Sequence, residues 1–102
     1  MGWDKDYINE LKLDSRKAPM IEDVEDYKIR ILHRGEDLFY WEKKEDRAFI
    51  SDIQIRNGSI YSNSIKKWED TGETITPEEK EIILQRIKSY FIRVQKVEPV
   101  IK

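Results

Sequence analysis

Apolar residues recur at helical spacing near the start of the chain. Within residues 3–13 they fall at Trp3, Tyr7, Ile8 and Leu11, which share one side of an α-helix. A helix this short is marginal in water unless its apolar side packs against another element. The pattern therefore predicts a short amphipathic helix that needs a partner surface.

The next segment, residues 14–26, has no such period and ends in an acidic run from Glu22 to Asp26. We predict that it is irregular. Residues 1–26 then form an N-terminal arm, and residues 27–102 form a single domain.

From residue 27 the apolar spacing changes to every second residue, which is typical of strands. Polar turns separate the stretches, and Gly35 is the expected positive-φ residue of the first turn. Asn57-Gly58 separates the last two, and both residues tolerate the positive φ that a two-residue type I′ hairpin requires. The predicted strands cover residues 27–33, 38–43, 47–56 and 59–65.

The clearest element is a C-terminal helix over residues 77–94. It opens with a capping box in which the Thr76 hydroxyl and the Glu79 carboxylate each accept from the other residue's amide, with Pro77 at the first helical position. One apolar stripe follows, made of Ile83, Leu84, Ile87, Tyr90, Phe91 and Val94.

The meander has one apolar face and the helix has one apolar stripe, so each can bury the other. We therefore predict an α+β fold: a four-stranded antiparallel meander packed against one C-terminal helix, with a short N-terminal helical arm. Trp68, in the loop before the helix, is expected to close the edge between sheet and helix. The tail to Lys102 is either frayed or a short added strand.

The composition narrows the possible chemistry. A chain of 102 residues fits one domain, and 39% of the residues are charged. The absence of cysteine excludes a disulfide framework, a thiolate metal site and a cysteine nucleophile. His33 is the single histidine, so a zinc site would need three carboxylates, which zinc rarely uses. We predict no cofactor and no metal.

The charge distribution bears on location and partners. The N-terminus alternates charges without an apolar core, and no apolar run could span a bilayer, so we expect a cytoplasmic protein without a membrane partner. Residues 1–26 carry a net −4 (four bases, eight acids), residues 27–77 are neutral, and residues 78–102 carry +2 (six bases, four acids). No basic stripe is present, so we expect no nucleic-acid partner.

Adjacent carboxylates are the only residues that suggest catalysis. General acid–base work needs one carboxyl in an apolar pocket, whereas these pairs lie in predicted turns that water solvates. Asp52 differs because it falls within a strand, as an exposed-face or edge charge. We predict that the chain is not an enzyme. The pairs are Glu36-Asp37, Glu45-Asp46 and Glu69-Asp70.

Two adjacent aromatic residues, Tyr40 and Trp41, point to opposite sides of their strand, so one faces outward unless both sheet faces are covered. An outward aromatic side chain can anchor a protein interface or stack on a nucleic-acid base. Alternatively, the N-terminal arm covers Trp41. The acidic arm is either a solvated segment or an attraction for a basic partner.

The second half of the chain resembles a known family. An aromatic meander leads into a strand end, a polar loop and a capped helix. The motifs are Ser64-Ile65-Lys66-Lys67-Trp68 and Ile75-Thr76-Pro77-Glu78-Glu79-Lys80, followed by Ile83-Leu84 and Ile87. Over roughly residues 27–92 this resembles the Imm74-type immunity proteins of bacterial polymorphic toxin systems, small α+β domains encoded beside secreted toxins.

The resemblance implies a protein that binds a cognate protein toxin and blocks its active site or an essential surface, as a monomer or weak homodimer. Alternatives are an interaction module without a toxin partner, a single-stranded nucleic-acid-binding domain and, least favoured, a small hydrolase. The predicted partner-binding surface has Tyr40 and Trp41 as anchors. Its charged residues are Glu22, Asp23, Glu25, Asp26, Glu36 and Asp37.

Overall fold

The computed structural model describes residues 5–13 and 21–102, in which the chain forms two helices and a sheet of six strands. The helices are α1 (Lys5–Leu13) and α2 (Pro77–Tyr90). The strands are β1 (Ile21–Asp23), β2 (Tyr27–Leu32), β3 (Asp37–Glu42), β4 (Arg47–Gln54), β5 (Ser59–Ile60) and β6 (Val100–Ile101).

Neighbouring strands in the sheet follow the order of the chain. β1 to β5 form an antiparallel meander, and β6 adds to β5 in parallel. The α+β fold class is therefore confirmed, with an extra strand at each edge of the predicted meander. The C-terminal tail is the added strand rather than a frayed end.

The prediction of an irregular arm is wrong for Ile21–Asp23, because these residues form β1. Glu22 lies opposite Ile29 of β2, and the ladder continues to Asp23 opposite Lys28. A strand of three residues is too short to show an alternating pattern, so no periodic spacing predicts it. The sheet therefore begins before residue 27.

The turn between β4 and β5 also differs from its prediction. Pairing ends at Gln54 opposite Ser59, which leaves a loop of residues 55–58, and only Gly58 in that loop has positive φ, at 75°. The two-residue type I′ turn is therefore wrong. A Cβ on Gly58 would lie 2.2 Å from the Glu98 carbonyl oxygen, so glycine lets the chain pass closely just before β6.

One face of the sheet packs against α2 and forms the main core. Trp68 is fully buried there, as predicted. The capping box is confirmed: the Glu79 amide donates to Thr76 Oγ1 at 3.1 Å, and the Thr76 amide donates to Glu79 Oε1 at 2.9 Å. The main core consists of Ile29, Ile31, Leu38, Tyr40, Phe49, Ile53, Ile60, Ile65, Trp68, Ile75, Ile83, Ile87, Tyr90 and Phe91.

The helix α2 ends at Tyr90 and continues as one π-helical turn, Phe91–Gln95. Lys96 ends that turn in the left-handed region, at φ 58°. The predicted helix over residues 77–94 is thus correct in extent, although its last turn is wider than an α-helical one.

The opposite face of the sheet packs against α1 and forms the second core. The predicted amphipathic helix is confirmed from residue 5 onward, whereas Trp3 lies outside the described residues, as do residues 14–20. The second core consists of Ile8, Leu11, Leu32, Phe39, Ala48 and Ile50, with Tyr7 and Trp41 packed against it. Neither helix of the described residues has the length and apolarity needed to cross a membrane.

Candidate functional site: an acidic cleft beside the second core

The prediction that Tyr40 is a surface anchor is wrong, because its side chain is fully buried between the sheet and α2. Its ring stacks on those of Phe49 and Tyr27, with centroids 5.3 and 5.9 Å away. Its hydroxyl accepts a hydrogen bond from Arg86 Nη1 at 2.7 Å. Burial raises the pKa of Tyr40, and the Arg86 hydrogen bond opposes that shift.

Trp41 points to the other face, where it is half-buried against the second core. Its Nε1 donates to Asp46 Oδ1 at 2.9 Å, and the ammonium groups of Lys12 and Lys43 lie 5.7 and 5.5 Å from the ring centroid. The N-terminal helix therefore covers part of Trp41, as one of the two interpretations predicted. Part of the side chain stays accessible.

Glu22 and Asp23 were predicted to contact a partner, but both carboxylates pair with other side chains of this chain. Glu22 is buried in the sheet, accepts from the Tyr27 hydroxyl at 2.6 Å and pairs with Arg93 Nη1 at 2.9 Å. Asp23 forms an ion pair with Lys43. Glu22 is thus wrong as a binding residue, since its carboxylate joins β1 to the turn after α2.

The remaining predicted acids fall at two ends of the sheet. Glu25 and Asp26 are exposed in the turn between β1 and β2, whereas Glu36 and Asp37 lie at the start of β3. The register pairs Tyr27 with the far end of β3, so β3 separates the two groups by about 17 Å. The structure does not bring the predicted surface together as one patch.

The group at the start of β3 instead lines a cleft of about 650 Å³. Register places Asp37 directly opposite Asp52 of β4, so two carboxyl groups meet on the same face of the sheet. That face continues the second core beyond Phe39 and Ile50. The cleft is lined by Glu36, Asp37, Asp52, Tyr61, Asn63 and Lys66, among others.

Desolvation and a neighbouring carboxyl group both act on Asp52 in this cleft. The pKa of Asp52 is raised, first by desolvation of its carboxyl group in the cleft and then by the hydrogen bond and the negative charge of Asp37. His33 Nδ1 lies 2.5 Å from Asp37 Oδ2, so three ionisable side chains stand in a row. Asp52 as a residue is exposed, so this row is open to solvent.

A short turn after β5 positions the opposite wall of the cleft. The Asp52 amide donates to Ser64 Oγ at 2.9 Å, and the Ser64 hydroxyl donates to the Tyr61 carbonyl at 2.6 Å. The Tyr61 amide in turn donates to the Asp52 carbonyl at 3.2 Å. These bonds fix Tyr61 beside the acids while 39% of its surface stays exposed.

The turn between β2 and β3 is strained where it joins the cleft. His33 and Arg34 have φ of 49° and 59°, in the left-handed region that costs energy for residues with a Cβ. Gly35 follows at 92°, and a Cβ there would lie 2.2 Å from Ile55 Cγ2. The positive φ predicted for Gly35 is confirmed, and the strain extends to the histidine that contacts Asp37.

Sequence reasoning missed most of this cleft, including Asp52 and Tyr61. Asp52 carried a usable signal, since it is a carboxylate within a strand, but its partner depends on the β3–β4 register. Tyr61 carried none, because the predicted strand over residues 59–65 ends at Ile60 and a 3₁₀ turn, Ser62–Ser64, follows. Within residues 5–13 and 21–102, no cluster of three or more histidine or acidic side chains could hold a metal ion.

A scan against family models, a search of curated proteins and a search of solved structures each return no match for this chain. The resemblance to Imm74-type immunity proteins therefore stays a prediction.

Proposed function

We propose that this chain is an immunity protein that neutralises a cognate bacterial toxin by direct association, and that the acidic cleft is its binding surface. The observation that carries the proposal is the pair Asp37 and Asp52, which face each other on an exposed part of the sheet. Their repulsion destabilises the free protein, and a lysine or arginine side chain from a partner would relieve it.

The chemistry of the cleft suits a protein partner. Tyr61 supplies an exposed aromatic ring next to the acids, and tyrosine is among the residues that contribute most to protein interfaces. Glu36 adds a third carboxylate at the rim. Trp41 lies on the same face of β3 as Asp37, about 13 Å away, and its accessible part extends the proposed interface.

The other classes of function fit this geometry less well. A single-strand binder stacks bases on exposed aromatic rings of a sheet, whereas Phe39, Tyr40 and Phe49 are buried. Acidic side chains at the cleft would also repel phosphates. The row of His33, Asp37 and Asp52 contains groups used in acid–base catalysis, but Asp52 is open to water, which disfavours a tuned general acid.

The test is co-expression with the protein encoded by the adjacent reading frame. We expect growth rescue and co-purification as a 1:1 complex in the cytoplasm of the producing cell. Asp52→Asn should slow association severalfold and flatten its salt dependence, while Glu81→Gln, an exposed acid on α2, should change neither. Tyr61→Ala should cost about 2 kcal/mol of binding free energy through faster dissociation.

The matched control for Tyr61→Ala is Ile82→Ala, which removes an exposed apolar side chain of α2. If the folded Tyr61→Ala and Asp52→Asn variants bound the toxin as tightly as the unaltered chain does, the cleft would not be the binding surface. If the chain neither rescued growth nor co-purified with the protein encoded by the adjacent reading frame, the proposed immunity function would be wrong.

A further inference from the structure

The sheet surface under α1 has the features of a helix-binding site. Ile8 and Leu11, three residues apart on α1, are buried on an apolar floor provided by three different strands. The floor consists of Leu32, Phe39, Ala48 and Ile50. We call this floor, together with Lys28, Asp46 and Asp70, the α1 face.

Lys28 gives the α1 face a way to bind the end of a helix. Its side chain is 1% exposed, and its Nζ donates to the carbonyl oxygens of Leu11 and Lys12 at 3.0 and 3.2 Å. Carbonyl groups in the last turn of a helix have no intrahelical partner and carry the negative end of the dipole. A buried ammonium group at this place recognises backbone, so it fits the end of a helix.

Two carboxylates add selectivity for a basic side chain in the last turn. Lys12 Nζ lies 3.0 Å from Asp46 Oδ1 and 2.9 Å from Asp70 Oδ2. Most of the Lys12 side chain is buried, and Asp70 is nearly as buried, so the pair with Asp70 is shielded from solvent. The α1 face therefore selects a helix that ends with two apolar residues three apart, followed by a lysine.

The covalent connection allows α1 to reach another molecule. Eight Cα steps separate Leu13 from Ile21, which can span up to about 27 Å when extended. The molecule itself measures 31 × 31 × 26 Å. A helix that leaves its own α1 face can thus reach the α1 face of an adjacent copy.

We propose that the α1 face is a separable helix-docking site whose alternative occupant is the α1 segment of a second copy of this chain. When α1 of one copy binds the α1 face of another copy, every contact described above is kept. The free-energy cost of this exchange lies in losing the covalent connection between α1 and its own face. The effective concentration of a short connection is on the order of 1 mM, so the unaltered chain stays monomeric at micromolar concentration.

Two full-length variants remove that intramolecular competition. An acceptor, Ile8→Asp with Leu11→Asp, keeps the α1 face and loses the apolar side of its own helix. A donor, Ala48→Arg, keeps α1 and blocks its own face. Each variant alone should be monomeric by light scattering, and a mixture should form a 1:1 heterodimer of twice 12.3 kDa.

A donor that also carries Lys12→Glu is the matched control. The heterodimer should then be at least about tenfold weaker, because a carboxylate faces Asp46 and Asp70. Absence of a heterodimer at about 1 mM of two folded variants would overturn the proposal. A heterodimer whose affinity is unchanged by Lys12→Glu would also overturn the proposal, because association would then not use the α1 face.

If either variant fails to fold, hydrogen exchange on the unaltered chain tests whether α1 separates from the α1 face. A separable α1 should open while β3 and β4 stay closed, so its amides should exchange at least about tenfold faster than those of the strands. Equal exchange rates in α1 and in β3 would show that α1 leaves only when the whole domain unfolds, which would overturn the proposal.

Discussion

The two faces of the sheet differ in what covers them and in what they leave open. The α2 face buries an extensive apolar cluster that includes Trp68, Tyr40 and Tyr90. The other face carries the short helix α1, a buried lysine and, beyond the second core, the open acidic cleft. The larger apolar core therefore lies on one face, and the cleft that we propose as the binding surface lies on the other.

The largest expected effect is on the α2 face. Trp68→Ala should lower the free energy of unfolding by about 3–5 kcal/mol, because it leaves a large cavity between Tyr40, Phe49 and Arg47. Urea denaturation followed by circular dichroism measures the loss. Trp68→Phe, which keeps an aromatic ring, should lose less, and equal losses for the two variants would contradict the cavity argument.

On the other face we expect a smaller and more local effect. Leu11→Ala should cost about 2–3 kcal/mol, the lower part of the range for buried leucine, since α1 can shift to fill the space. Hydrogen exchange should show faster opening of α1 with protection of β3 retained. The exposed neighbour Leu13→Ala is the control and should change little; equal effects at the two positions would contradict the assigned helix face.

A third prediction concerns the start of α2. Thr76→Ala should lower stability by about 1 kcal/mol, because it leaves the Glu79 amide without its capping oxygen. Thr76→Ser keeps the hydroxyl and should recover most of the loss in the same denaturation experiment. A serine variant as unstable as the alanine variant would show that the capping hydrogen bond contributes little.

Local patterns in the sequence predicted the parts of the fold that local interactions determine. The capping box from Thr76 to Glu79 needs only neighbouring residues, and the structure confirms it. The strands β2 and β3 are confirmed too, but the predicted single apolar face is wrong, because both faces of the sheet are covered and Leu38, Phe39 and Tyr40 are all buried. β1 and β6 are too short for a periodic signal, and β6 pairs in parallel with a distant strand. Asn57-Gly58 favours a type I′ turn by itself, but strand pairing ends earlier and gives a longer loop.

The site was harder to predict than the fold, because it depends on contacts between residues that are far apart in the sequence. Asp37 and Asp52 are fifteen positions apart and meet only through the β3–β4 register. Glu22 looked like its acidic neighbours, yet it is buried and paired with Arg93, which is 71 positions away in the chain, and with Tyr27 of the neighbouring strand. Charge in a sequence can be counted locally, whereas its burial depends on tertiary contacts.

The smallest expected effect has the opposite sign and concerns the acidic cleft. Asp52→Asn should raise stability at neutral pH by up to about 1 kcal/mol, because it removes a charge that is partly desolvated in the cleft and repelled by Asp37. The sign follows from linkage. The folded carboxyl holds its proton more tightly than the unfolded one, so the penalty is absent below the unfolded value of 3.8 and develops as pH rises through the raised pKa of Asp52.

The advantage of Asp52→Asn over the unaltered chain should therefore shrink as the pH falls toward 3.8, as measured by thermal unfolding across that range. Glu81→Gln on α2 is the control and should show no such pH dependence. If Asp52→Asn destabilised the protein at neutral pH, the carboxyl pair would be a structural contact. A stabilised variant that associates more slowly with its partner would show that the cleft sacrifices stability for binding.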